Sequence, residues 1–161
     1  MNTSGKILSR AELRQQVDQW RSSGERITLV NGNFDLLHVG HVRYLRGAKQ
    51  LGGKLVVAIN SDSSVRALKG EGRPVMPENE RAEIVAALAD VDAVVIFPEM
   101  DVRAIIREIR GGHYDLLVMG VSPRPGEQLF FGEVPAELLE RAPCSLVFVA
   151  SEPPSLAHTT A

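Results

Sequence analysis

The chain has 161 residues, 44% of them apolar and 24% charged, which suits one soluble globular domain with a single sizeable core. A net charge of −2, with acids and bases interspersed, excludes a nucleic-acid-binding face, and apolar runs of about six residues exclude a membrane-spanning helix. The N-terminus has no apolar signal core, and the lone Cys144 has no disulfide partner, so the cytoplasm is the expected location. Next to the apolar run "SLVFVA", Cys144 reads as a small buried hydrophobe.

In chain order, "SRAELRQQVDQWRSSG" predicts a helix over 9–24. Ser9 and Glu12 have capping-box spacing, Leu13, Val17 and Trp20 share a face, and Gly24 follows the end. "RITLVNG" predicts a strand. "GHVRYLRGAKQLGG" predicts a helix with Val42, Leu45, Ala48 and Leu51 on one stripe. "KLVVAIN" is apolar on both faces, as in the middle of a parallel sheet. After it, "ALKGEGRPVMPENER" reads as a loop marked by glycine and proline, then a helix over 77–90 and the strand "AVVIF". A helix over 100–112, the strand "DLLVMG", a short helix over 134–142 and the strand "SLVFVA" complete the series.

Strands alternating with helices mean βαβ units and right-handed crossovers. The expected fold is therefore α/β: a doubly wound, five-stranded parallel sheet of Rossmann-like form. One domain spans 1–161, with an N-terminal helix (1–24), a core (25–150) and a tail (151–161). In such sheets ligands bind beyond the carboxyl ends of the strands, where strand order reverses.

"NGNFDLLHVGH", residues 31–41, begins at such an end. Gly40 opens a helix whose free N–H groups and dipole favour an anion, and His38 and His41 flank it on one side of the first turn. Imidazoles there would donate to phosphate oxygens and stabilise charge in an in-line displacement. Two other readings exist: a metal site with Asp35 as third ligand, and locally packed polar loop residues. No Gly-x-Gly-x-x-Gly follows the first strand, and "GAKQLGGK" lacks P-loop spacing. Lys69, Arg73 and Arg81 lie where a loop from the second strand could fold over the first and clamp phosphates. Otherwise Lys69 and Arg73 are solvated charges, and Arg81 pairs with Glu78 or Glu80.

Gly32, Phe34, Asp35, His38, Gly40 and His41 form an intact Gly-x-Phe-Asp-x-x-His-x-Gly-His run. By that run the chain resembles the cytidylyltransferase-like nucleotidyltransferases, over roughly residues 9–100. "NSDSSVRALKGEGRPVMPENERAEIVAALADVDAVVIF" is similar to the heptose-phosphate adenylyltransferases within that family. The resemblance implies transfer of a nucleoside monophosphate from ATP, less readily CTP, to a sugar or polyol phosphate, with release of pyrophosphate. His38 and His41 would hold the triphosphate, with Lys69 and Arg81 completing the catalytic charge cluster. Asn33 and Phe34 would contact nucleotide through the loop backbone, beside Asp35, Gly40, Gly120, Thr159 and Thr160. Arg73 and Arg124 would face the acceptor. Mg²⁺ would be held by the nucleotide phosphates with no metal site of the protein's own. Kinship also implies a homodimer, with no nucleic-acid or membrane partner.

The second half departs from the family pattern. Gly120 is followed by Val121, Ser122 and Pro123 where Gly-x-Asp and an aromatic are usual, and the end at Ala161 predicts weak closure over the phosphates. "HYDLLVMGVSPRPGEQLFFGEVPAELLERAPCSLVFVA" resembles the C-terminal half of universal stress proteins, with Pro123 and Glu133 altering their phosphate loop. Its Phe130 and Phe131 read as core or as an apolar dimer patch. That likeness carries an alternative: a nucleotide-binding regulatory module with little turnover.

Overall fold

The first four predicted elements, a helix, a strand, a helix and a strand, all form in the computed structural model. It describes residues 5–98, 107, 108, 110, 111, 113–121 and 138–150. Helix α1 (Arg10–Ser22) starts at Ser9, whose side chain accepts from the Glu12 N–H while the Glu12 carboxylate accepts from the Ser9 N–H. Leu13 and Val17 are fully buried, and Gly24 follows in the left-handed region at φ 77°. Strand β1 (Ile27–Gly32), helix α2 (Val39–Leu51) and strand β2 (Lys54–Asn60) come next. Helix α4 (Glu78–Ala86) precedes strand β3 (Ala93–Phe97), and β4 (Leu116–Val121) and β5 (Ser145–Ala150) complete the sheet.

Two expectations need correction. The stretch after β2 is not all loop: Asp62–Lys69 form a helix, α3, capped by Ser61, whose side chain accepts from the Ser64 N–H. Serines and only two large apolar residues, Val65 and Leu68, hide its periodicity. Helix α4 ends at Ala86, short of the expected Asp90. There the Leu88 N–H turns back to the Val85 carbonyl and Val91 to Leu88, which tightens the chain into β3. Of the expected helices over 100–112 and 134–142, residues 107, 108, 110, 111 and 138–141 are helical and Ala142 is not; the rest lie outside the described residues.

The sheet order is β3-β2-β1-β4-β5, all parallel. Alternation along the strands divides the core. Ile27, Leu29, Val56, Ala58, Val95 and Leu117 face α1, while Val30, Leu55, Val57, Ile59 and Val118 face Leu45 and Ala48 of α2 and Ala82 and Val85 of α4. β2 is buried along five of its seven positions, as a central parallel strand must be. Cys144 packs at the margin of the α1-side core, and burial raises its thiol pKa, so it is not a reactive thiolate. Strand order reverses between β1 and β4, which opens a crevice at their carboxyl ends.

Leu13 plugs the α1-side core at zero exposure. Leu13→Ala is expected to cost roughly 2–5 kcal/mol of folding free energy, read from the urea midpoint.

Candidate active site

The loop leaving β1 is held in an uncommon shape. Phe34 is buried at φ 48°, a left-handed conformation that costs a non-glycine residue about 1–2 kcal/mol. Its ring folds back over Gly32, where an added Cβ would lie 2.8 Å from a ring carbon. Burying that ring offsets the backbone cost, and the chain turns sharply toward α2.

At the mouth of α2 the two imidazoles form a reciprocal cap. His38 Nδ1 accepts from the Gly40 N–H at 3.1 Å, and His41 Nδ1 accepts from the His38 N–H at 3.4 Å. The His38 ring lies so close to Gly40 that a Cβ there would meet it at 2.8 Å, which explains the glycine between the histidines. The rings sit 4.0 Å apart, and His41 also packs 5.3 Å from Phe34. A nitrogen that accepts has no proton, so each ring is neutral with its proton on Nε2. Burial, then the neighbouring His38 and Lys69, hold His41 below the usual imidazole range, with a Leu36 carbonyl hydrogen bond pulling weakly the other way. The exposed Lys69, at the end of α3, lies close enough for its charge to act on His41.

Asp35 and Arg73 play different parts from those expected. Asp35 is buried, and its carboxylate accepts from Arg73 Nη1 at 2.7 Å and from the Val75 and Met76 N–H groups at 2.7 and 3.1 Å. Burial pushes its pKa up, but Arg73 and the two amides outweigh that and hold it below the usual range. These three bonds tie it to residues 73–76, so it is a brace for that loop. Arg73, 43% exposed, keeps part of its guanidinium for a ligand while anchored to Asp35.

Arg81 also needs correction. Its side chain has zero exposure, and it pairs with Asp62 at 2.6 Å, not with Glu78 or Glu80. Nη1 donates to the Asn33 carbonyl at 2.6 Å and the Asn60 carbonyl at 2.8 Å, and Nε donates to the Met76 carbonyl. Arg81 therefore braces the β1 loop from behind, its guanidinium bonded to protein groups. Glu78, which sequence reading paired with it, instead accepts from the Asp62 N–H.

Asn33, Phe34, His38, Gly40 and His41 thus share one site with Lys69 and Arg73. Gly120, the penultimate residue of β4, is exposed at the same edge of the sheet, with open space around its Cα. Arg124, Thr159 and Thr160, like Ser122, Pro123, Phe130 and Phe131, lie outside the described residues. Sequence reading missed Asn31, Asn60 and Asp62, although asparagines ending two neighbouring strands are themselves a signal, being depleted in strands. Among the described residues no three acidic, imidazole or thiol groups gather as metal ligands. A cavity of about 860 Å³ lies at the opposite edge of the sheet, where Arg21, Asp115 and Ser145 meet the strand starts. It is remote from this chemistry, and Arg21 there is engaged by Asp115 and the His113 carbonyl.

The paired histidines over the mouth of α2 lie at the switch point of the parallel sheet, where sheets of this kind bind ligands. The cytidylyltransferase-like family profile matches residues 29–151, and the chain belongs to that family. It is 49% identical over 132 residues to the bifunctional protein HldE of Koribacter versatilis, covering 82% of this chain and 26% of that one. It is 45% identical to HldE of Aeromonas hydrophila, over 81% of this chain and 27% of the relative. The chain thus spans about a quarter of the length of these relatives. Two solved structures share the fold. A lipopolysaccharide core biosynthesis protein from Thermoplasma volcanium has a TM-score of 0.62 at 24% identity, over 80% of this chain and 99% of its own. Pantothenate synthetase from Thermus thermophilus has 0.61 at 15%, over 91% and 62%.

Arg81→Met would strand three carbonyls and the Asp62 carboxylate; a loss of roughly 3–5 kcal/mol in stability is expected, with activity falling alongside. A second outcome concerns pH. His41 is held below its ordinary 6.5, so the unfolded chain takes up its proton first as pH falls. Its contribution to stability is complete above 6.5 and is lost as pH drops through the folded value; the Asp35 contribution follows below 3.8. His41→Gln keeps a capping-box residue but cannot titrate, so urea midpoints measured between about pH 5 and 7.5 should slope less than wild type.

Proposed function

We propose that this nucleotidyltransferase uses ATP, and CTP less well, to adenylylate a sugar phosphate of the heptose 1-phosphate type, releasing pyrophosphate. The single observation that carries the reading is the reciprocal imidazole cap at the mouth of α2, with Lys69 beside it. The family match over residues 29–151 supports nucleotidyl transfer, and the resemblance of residues 60–97 to heptose-phosphate adenylyltransferases supports the adenylyl donor and the sugar-phosphate acceptor.

In this reading an oxygen of the acceptor phosphate attacks the α-phosphorus in line. The bond from that phosphorus to the bridging oxygen breaks, and pyrophosphate leaves with its electron pair. The His38 Nε2–H and the His41 ring bind the triphosphate, and the dipole of α2 helps offset the charge that grows on it. Lys69 neutralises the leaving phosphates, and Arg73 reaches the acceptor from its anchor on Asp35. No covalent enzyme intermediate forms. Mg²⁺ suits this donor set because it keeps water and takes phosphate oxygens, so the nucleotide itself would carry it and screen its charge. We place the reaction in the cytoplasm; among the described residues no helix is long and apolar enough to cross a membrane.

The substitution of the Gly-x-Asp-aromatic pattern at Gly120–Pro123 favours a second reading, a regulatory module that binds nucleotide without turnover. Pyrophosphate release measured with ATP and CTP across a panel of sugar phosphates separates the two. Tight ATP binding with no turnover on any acceptor would sink the enzymatic reading. His41→Ala should cut turnover by about a hundredfold or more, the scale of losing one preorganised donor. Lys69→Ala should chiefly raise the KM for nucleotide, and unchanged constants would take Lys69 out of the site.

A further inference from the structure

Three asparagines at the carboxyl edge of the sheet form a chain that the reaction as described does not use. Asn31 and Asn33 flank Gly32 at the end of β1, and Asn60 ends β2. The register sets Asn31 against Ala58 and Gly32 against Ile59, which brings Asn60 level with Asn33. Asn31 Nδ2 donates to the Ala58 carbonyl at 3.2 Å and to Asn60 Oδ1 at 3.0 Å, and Asn60 Nδ2 donates to Asn33 Oδ1 at 2.5 Å.

A carboxamide has an accepting end and a donating end, and alone it can sit either way round. Here the far end of the chain removes that choice. The Ala58 carbonyl can only accept, so the Asn31 NH₂ must face it. The second hydrogen of the same NH₂ then fixes Asn60 with its oxygen toward Asn31 and its NH₂ toward Asn33. Asn33 must in turn present its oxygen to Asn60. Its own NH₂ is left on the side away from Asn60, with no acceptor for it among the described residues. Arg81 clamps the same two residues through their carbonyls, so neither end of the Asn33–Asn60 contact can drift.

We propose that Asn31 and Asn60 are positioning residues that fix the polarity of the Asn33 amide, making its side-chain NH₂ a donor to a phosphate oxygen of the nucleotide. The inference rests on the nucleotidyl-transfer reading and extends it. The expected contact from Asn33 was through the loop backbone, whereas the relay assigns the side chain. A phosphate oxygen only accepts, so an outward NH₂ fits it and an outward carbonyl oxygen would repel it. Phosphate is the component of the substrate for which the direction of this one amide decides the sign of the interaction.

The test is Asn60→Asp, which keeps the shape. An ionised carboxylate cannot donate to Asn33 Oδ1, so the Asn33 amide turns over and offers its oxygen to the nucleotide. The Kd for ATP, measured by calorimetry, and the KM for ATP should both rise about ten- to hundredfold at neutral pH, with the urea midpoint near that of wild type. Protonating the new carboxyl restores a donor, so the deficit relative to wild type should shrink as pH is lowered; a purely structural role would give no such recovery. Asn31→Asp should produce the same loss from a position one amide further from the ligand, and it serves if the first variant folds poorly. Asn33→Ala combined with Asn60→Asp should be no worse than Asn33→Ala alone. If wild type binds and turns over ATP while Asn60→Asp keeps its Kd and KM, the relay is overturned and the transfer reading stands. If wild type neither binds nor turns over ATP or CTP, both fall together.

Discussion

One buried guanidinium holds the functional edge of this protein together. Arg81 is the largest side chain with no solvent exposure, and its partners come from four places in the chain: Asn33 after β1, Asn60 at the end of β2, Asp62 at the start of α3 and Met76 before α4. A charge without water needs complete hydrogen bonding, and Arg81 obtains it by drawing these segments to fixed distances. The planar fork of donors suits that task in a way an ammonium would not. The nucleotide loop, the capping serine turn and the 70–76 loop are thereby referred to one point.

In front of this anchor the loop from β1 to α2 is shaped by contacts that each need a particular residue. Phe34 accepts a left-handed backbone because its ring is buried over Gly32, and Gly40 lets the His38 ring cap the helix. The capping bonds fix the imidazole tautomer, and the asparagine chain fixes an amide. The site therefore offers protons in set directions before any ligand arrives. That is the preorganisation an acceptor-only triphosphate rewards.

Asp35 shows how a motif residue can act at one remove. Its three hydrogen bonds close the 73–76 segment onto the β1 loop and anchor Arg73 there. Charge spread across two crossovers is thus gathered on one crevice, although the whole chain is slightly acidic.

What the sequence by itself determined was whatever depends on near neighbours: the Ser9–Glu12 cap, the Leu13 and Val17 stripe, the bounds of β2, β3 and β5, and the histidine pair at a helix mouth. Caps, alternation and helical periodicity are set by residues a few positions apart, so they survive being read in one dimension. Helix α3 escaped because its only apolar pair is too short a pattern, and Arg81 was misassigned because Glu78 and Glu80 stand next to it in the chain while Asp62 stands next to it in space. The bracing role of Asp35 and the asparagine chain belong to the same class. They exist only once β1 and β2 lie side by side in one register and a loop some 40 residues on has folded back over them. Only the tertiary structure could decide them, because the hydrogen-bonding needs of a buried charge or amide are met by whichever groups packing brings near.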